Sequence, residues 1–338
     1  MHSRNRISPL RQTKLAIGYA LMRKAILLSL LLLFFASAIR AQESAMPDSL
    51  LFTLKPLGNN VYAAIDKPKS AAGSNAGFVI GDDGVVVIDT FQDEAAARQL
   101  LSEIQKLTKL PVKFVVNTHY HLDHVTGNGV FAQAGAVIVG HRNVRTWIHT
   151  ENLKFYGKDI KPDQKKMIEE YVAPQVVYDS EIELYLGTRR VVVRYYPGHT
   201  GGDSVVTIPD AQVVFCGDLF WNKTLPNLID GTTDKWAATD AKLAAEAPKA
   251  AFIPGHGDVG SAADVQEFGG YLNDLRAMMT QPVKDGLMGD ALINAIMPGL
   301  KQKYGNWNFF DYFAKRNILD MAKELRGDKQ LPKPANSQ

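Results

Sequence analysis

Residues 117–128 read NTHYHLDHVTGN, and His119, His121, Asp123 and His124 fall within six positions of a chain that holds eight histidines. A core avoids such crowding, because every buried imidazole needs a partner. Imidazole nitrogen and carboxylate oxygen at this density are the donors of a metal site. His119 and His121 alternate along the chain and can point to one side, while the adjacent Asp123 and His124 point elsewhere. One loop thereby offers donors to two ions, but too few for either, so further donors must come from downstream.

Each downstream candidate stands beside glycine at the end of an apolar run: His199 in YYPGHTGGDS, Asp218 in VVFCGDLF and His256 in FIPGHGD. Glycine lets the backbone turn sharply next to a ligand. His119, His121 and His199 are expected to hold one ion, Asp123, His124 and His256 a second, and Asp218 both as a bridge. Zinc is the expected metal, two ions per chain, although the same donors suit iron and manganese. Two cations close together lower the pKa of a shared water and stabilise a developing oxyanion, which is the chemistry of hydrolysis. Asp123 is the expected catalytic residue, orienting the attacking hydroxide and relaying its proton.

The order His119-x-His121-x-Asp123-His124, followed by His199, Asp218 and His256, resembles the metallo-β-lactamase fold superfamily of hydrolases over roughly residues 55–260. The resemblance implies an α/β fold of four layers, an αββα sandwich with the metals at one edge of two facing sheets. Asp89, in VVVIDT, matches the family's buried strand-end aspartate and would support the ligand loop. Lactam-cleaving members typically carry Cys or Ser where Asp218 stands. An Asp there resembles the thioesterase, lactonase, sulfatase and phosphodiesterase branches, and His121 stands where redox di-iron members carry Glu. The expected reaction is therefore hydrolysis of a small-molecule ester, thioester, lactone or amide. A β-lactamase is the alternative, and a phosphodiesterase, nuclease or non-catalytic metal-binding module comes after it.

The elements that must position these residues follow from hydrophobic periodicity. Residues 50–90 read as β-branched strands broken by turns such as GDDG, and residues 93–107 carry an apolar face at helical spacing. VKFVVNT is a buried strand running straight into the histidine cluster, and GAVIVGH is the next one. Residues 142–175 are charged and partly helical, an insertion over the surface whose Trp147, Phe155, Tyr156 and Tyr171 would wall a pocket or simply pack. Strands resume at residues 181–218, a helix fits residues 235–247, and residues 262–325 are helical. The expected organisation is an N-terminal extension and signal peptide at 1–41, the sandwich at 50–261, a helical extension at 262–326 and a disordered tail at 327–338. The loop at 66–77, with Trp221 and Asn222, is expected at the pocket rim. Lys223 is expected at the surface, and the aromatic run NWNFFDYF is expected to pack on the sandwich or on a dimer partner.

The chain has 338 residues, 46% of them hydrophobic, and a formal net charge of +3. That balance offers no basic patch for nucleic acid. Arg23 and Lys24 precede an apolar run at 25–39 followed by small residues, the layout of a secretory signal starting at Met22. A run of that length is short for a membrane span. The expectation is a periplasmic or secreted protein with no stable membrane insertion, acting on a small molecule. Cys216 is the only cysteine, so no internal disulfide forms and the core must carry stability. Cys216 is expected to be buried as a small hydrophobe.

Overall fold

The computed structural model of the chain describes residues 49–334, so the expected signal peptide and the last four residues lie outside the described residues. A first sheet runs β1 (Phe52–Pro56), β2 (Val61–Asp66), β3 (Ala76–Ile80) and β4 (Val85–Ile88) as an antiparallel meander, then β5 (Val112–Asn117), β6 (Val137–His141) and β7 (Val176–Tyr178) in parallel. Parallel neighbours need a crossover. Helix α1 (Glu94–Leu107), capped by the Asp93 side chain on Ala95 N–H, supplies the one between β4 and β5.

A second sheet holds β8 (Glu181–Leu186), β9 (Arg189–Tyr195), β10 (Ser204–Ile208), β11 (Val213–Trp221) and β12 (Ala251–His256). β11 and β12 are parallel, and α6 (Thr233–Glu246) makes the crossover. Between β5 and β7 lie the short α2 (Leu122–Val125), α3 (Asn128–Gln133), α4 (Arg142–Tyr156) and α5 (Pro162–Glu169). The chain closes with α7 (Ala262–Lys284), α8 (Gly289–Tyr304) and α9 (Phe310–Arg326).

Strand alternation sorts the side chains into layers. Val79, Val86, Ile88 and Val116 of the first sheet meet Val191, Val193, Val206 and Phe215 of the second in the central core. On the outer face of the first sheet, Phe78, Val85, Val87 and Val115 pack on Leu100 and Ile104 of α1 and Phe131 of α3. On the outer face of the second, Val205, Val214 and Cys216 pack on Trp236, Phe268, Leu272, Leu292 and Ile318 from α6 to α9. Burying each such side chain contributes roughly 1.5–3 kcal/mol against the entropy of folding. The four-layer αββα sandwich is the fold expected from the sequence, and the helices at 262–326 extend its outer layer over the second sheet.

Two local expectations need correction. Residues 327–334 are tied down at two points: Lys329 Nζ donates to Leu228 O at 2.6 Å and Gly231 O at 2.5 Å, and Trp147 Nε1 donates to Lys333 O at 2.8 Å. A lysine whose side chain is nearly buried and finds carbonyl and carboxylate partners anchors a chain end that composition alone marks as free. Of the two roles left open for Trp147 and Tyr171, burial gives them that of packing in the core. Trp221 is buried behind the site, not on its rim, because a long strand buried on both faces carries it inward. Among the described residues no helix is long and apolar enough to cross a membrane.

Candidate metal centre

β5 ends at Asn117, and the next residues leave the sheet edge into α2, so His119, His121, Asp123 and His124 gather at one end of the sandwich. β11 delivers Asp218 there through an irregular register against β12 at Gly217, whose φ of +51° is left-handed. Such bulges re-aim the following side chain. β12 ends at His256, and the loop after β9 brings His199.

The seven residues form two donor groups, His119, His121, His199 and Asp218 in one and Asp123, His124 and His256 in the other. In the first, His121 Nδ1 lies 3.1 Å from His119 Nε2 and 2.9 Å from His199 Nε2. In the second, Asp123 Oδ2 lies 3.5 Å from His124 Nε2 and 3.3 Å from His256 Nε2. Asp218 spans them. Its Oδ2 is 3.3 Å from His199 Nε2, and its Oδ1 is 3.1 Å from His124 Nε2 and 3.4 Å from His256 Nε2. The structure thus brings all seven together in the partition read from the sequence.

These residues fit a pair of metal ions. His124 Nε2, His256 Nε2 and Asp218 Oδ1 are buried and carry no hydrogen bond among the described residues. Buried polar atoms left so cost about 1–3 kcal/mol each, and a cation between them removes that cost. The charges agree. Burial opposes charge on His124, yet Asp218, Asp123 and Asp89 outweigh it and hold its pKa well above the usual value. Burial likewise opposes charge on His256, but the Asp218 and Asp123 carboxylates raise it to about 9. Burial pulls His199 down to about 3 and also lowers His119, which the charge on His124 depresses further. Protons on His124 and His256 therefore balance the carboxylates that cations would otherwise neutralise.

Around the donors stands a second set of contacts. Asp89, buried and left-handed at φ +56°, accepts from Thr118 N at 2.8 Å and Thr118 Oγ1 at 2.7 Å, and lies 2.8 Å from His124 Nδ1. That bond turns His124 Nε2 toward the centre. Asp230 does the same for the first group: its Oδ2 accepts from Tyr120 OH at 2.5 Å and lies 3.2 Å from His121 Nε2. Ser74 Oγ donates to Asp123 O at 2.5 Å, and Asn75 Nδ2 donates to Pro254 O and Gly257 O, so the loop after β2 holds both the Asp123 and the His256 segments. Asp230, Ser74 and Asn75 were not singled out in the sequence, where the only hints are a small polar pair before β3 and an aspartate beside the glycine of LIDG. His141, set aside in the sequence reading, lies 3.0 Å from Asp179 O through Nε2 and caps α4. Lys223 is at the surface, paired with Glu267.

A family model described as the metallo-beta-lactamase superfamily matches residues 71–257, more than half of the chain. A linear primary-alkylsulfatase from a Pseudomonas species is 23% identical over an alignment of 200 residues that covers 48% of this chain and 38% of that protein. A hydroxyacylglutathione hydrolase from Brucella anthropi is 32% identical over 144 residues, 42% of this chain and 46% of that protein. The chain thus spans less than half the length of these two curated relatives. A solved structure titled as a metallo-beta-lactamase from Pontibacter korlensis superposes with a TM-score of 0.55 at 22% identity, covering 66% of this chain and 99% of that one, a likeness of fold.

Proposed function

The chain belongs to the metallo-beta-lactamase superfamily, and from that premise we propose that it is a dinuclear zinc hydrolase of small-molecule esters, thioesters, lactones or amides. The observation that carries the proposal is Asp218, whose two carboxylate oxygens face different donor groups. Export to the periplasm or beyond belongs to the same proposal and rests on Arg23, Lys24 and the apolar run at 25–39.

His119, His121 and His199 would hold one ion, Asp123, His124 and His256 the other, and Asp218 both. Bound there, two divalent cations supply Lewis acidity, making a water acidic and answering negative charge on a carbonyl oxygen. The chain's own residues set the rest. The Asp123 side chain is about one-fifth exposed, more open than its buried neighbours Asp218 and His124. It can therefore orient an attacking water and relay its proton to the leaving group. Asp218 fixes the spacing of the two groups, and Asp89 and Asp230 fix His124 and His121. Trp221, Trp236 and Tyr120 close the rear of the site against water.

The test is metal analysis with a substrate panel: chromogenic esters, thioesters, lactones and a chromogenic cephalosporin, with the zinc-loaded protein. The expected result is two zinc ions per chain and turnover of at least one ester, thioester or lactone, abolished in Asp218→Ala and His121→Ala proteins that still fold by circular dichroism. Cleavage of the cephalosporin alone would make it a β-lactamase. Two bound zinc ions with no turnover of any substrate would overturn the proposal.

A further inference from the structure

A cavity of about 410 Å³ opens beside His256, and its far wall comes from the helical extension rather than the sandwich. Its near wall is Pro68 and Lys69, in the loop after β2, and its far wall is Asn308 and Phe309, at the junction of α8 and α9. Asn308 is pinned from both sides: its N–H donates to Lys223 O and its carbonyl accepts from Leu225 N, both at 2.9 Å. The chain just past Asp218 and the extension are thereby stitched together at the cavity mouth.

Phe309 stands out in this setting. It is bulky and non-glycine, yet it holds φ +57°, and half of its surface faces solvent. A left-handed bulky residue costs roughly 1–2 kcal/mol, and an exposed ring recovers little of that by burial. Strain of this kind gathers at sites where a side chain must be presented. Edge-on contacts hold the ring from behind. Phe309 meets Phe313 at 6.0 Å, Phe313 meets Trp221 at 6.0 Å, and Trp221 stacks on His256. Across the cavity Lys69 is also left-handed, at φ +64°. The acids of the cavity are already engaged, Asp66 by Ser70 and Asp258 by Lys55, each at 2.5 Å. Lys69 forms no ion pair among the described residues.

The geometry points to this cavity as the substrate-selecting site of the proposed hydrolase: the apolar portion of an anionic substrate lies on Phe309 and Pro68, and its anionic end meets Lys69. The inference rests on the hydrolase reading for its turnover test, and a binding test separates the two. Phe309 is a specificity residue here, and the extension selects what the sandwich cleaves. Of the metal donors His256 lines the cavity, so a substrate held in it enters from the side of the second donor group.

Turnover is measured on p-nitrophenyl acetate and octanoate and on the p-nitrophenyl monoester of suberic acid, which ends in a carboxylate. Phe309→Gly, which suits the left-handed backbone and removes only the ring, is expected to lower the octanoate-to-acetate ratio of kcat/KM about tenfold, through KM. Lys69→Gln is expected to lower the suberate-to-octanoate ratio about tenfold. Binding of the apolar anion 8-anilinonaphthalene-1-sulfonate to the zinc-loaded protein is read by fluorescence, with Met288→Ser as the control at an exposed apolar residue away from the cavity. Both cavity variants are expected to weaken the dye and the control is not. Unchanged ratios, or unchanged dye binding in both cavity variants, overturn the inference. Absent turnover with variant-sensitive dye binding would leave the cavity standing and sink the hydrolase reading instead.

Discussion

Trp221 lies nearly flat on His256, with ring centroids 3.9 Å apart and planes inclined by 25°. The indole Nε1 also donates to Asp218 O at 3.0 Å. One side chain thereby steadies a donor of the second group and the backbone of Asp218. Replacing it by leucine keeps the site apolar but removes both contacts. Trp221→Leu is expected to weaken the affinity of the second metal about 10–100-fold, as losses of supporting contacts do. Competition with a chromophoric chelator measures it, and unchanged affinity for both ions would refute the role.

Asp230 supports the other group, holding His121 and Tyr120 on one oxygen. Asp230→Asn removes the charge that orients His121 while keeping the shape. The expected outcome is about a tenfold or greater loss of affinity for the metal held by His119, His121 and His199, with the second metal little changed. Tyr120→Phe should cost less, because Asp230 keeps its contact with His121. Stepwise zinc titration distinguishes the two variants, and equal loss of both metals would count against the assignment.

Space around Asp218 is as specific as its charge. A Cβ built on Gly255 would stand 1.9 Å from Asp218 Oδ1. Gly255→Ala must push the carboxylate away, and a displacement of that order costs about 100-fold in rate at a positioned catalytic group. Catalytic rate together with zinc stoichiometry checks it. A variant with two zinc ions and full activity would show that Asp218 is not needed as a bridge.

Asp240, on α6, is fully buried and neither of its carboxyl oxygens has a hydrogen bond among the described residues. Burial raises its pKa well above the ordinary value. The folded form therefore keeps the proton to a higher pH than the unfolded form. As pH rises above about 4 the unfolded chain ionises first, so this group lowers stability until its folded pKa is passed. Asp240→Asn has no such proton, and it is expected to raise the melting temperature by about 2–4 °C at pH 7 and by less at pH 4.5. Melting curves at the two pH values decide it, and a larger gain at the lower pH would reverse the sign and the argument.

The sandwich and the partition of donors were legible because both depend on local pattern. β-branched runs ended at His119, Asp218 and His256, and glycine marked where the backbone comes close. What escaped were contacts made across long separations. Tyr120 and Asp230 are 110 positions apart, and Asn75 and Gly257 are 182 apart. No spacing rule links such pairs, and an aspartate or asparagine in a loop looks the same whether it orients a ligand or faces water. Trp221 was misplaced because its strand runs further inward than its alternation shows, and the anchoring of Lys329 depends on carbonyls that side-chain chemistry cannot reveal.

The loop between β11 and α6 that carries Asp230 is hung from residues beyond the sandwich: Leu225 on Asn308, Pro226 on Asn317, and Leu228 and Gly231 on Lys329, while Thr233, the first residue of α6, is held by Glu324. The portion shared with the family ends at residue 257. The unit inherited in common and the unit that must be rigid are therefore not the same length. A chimera that borrowed only the shared portion would carry every donor to the metals and lack the frame that keeps one of them aimed.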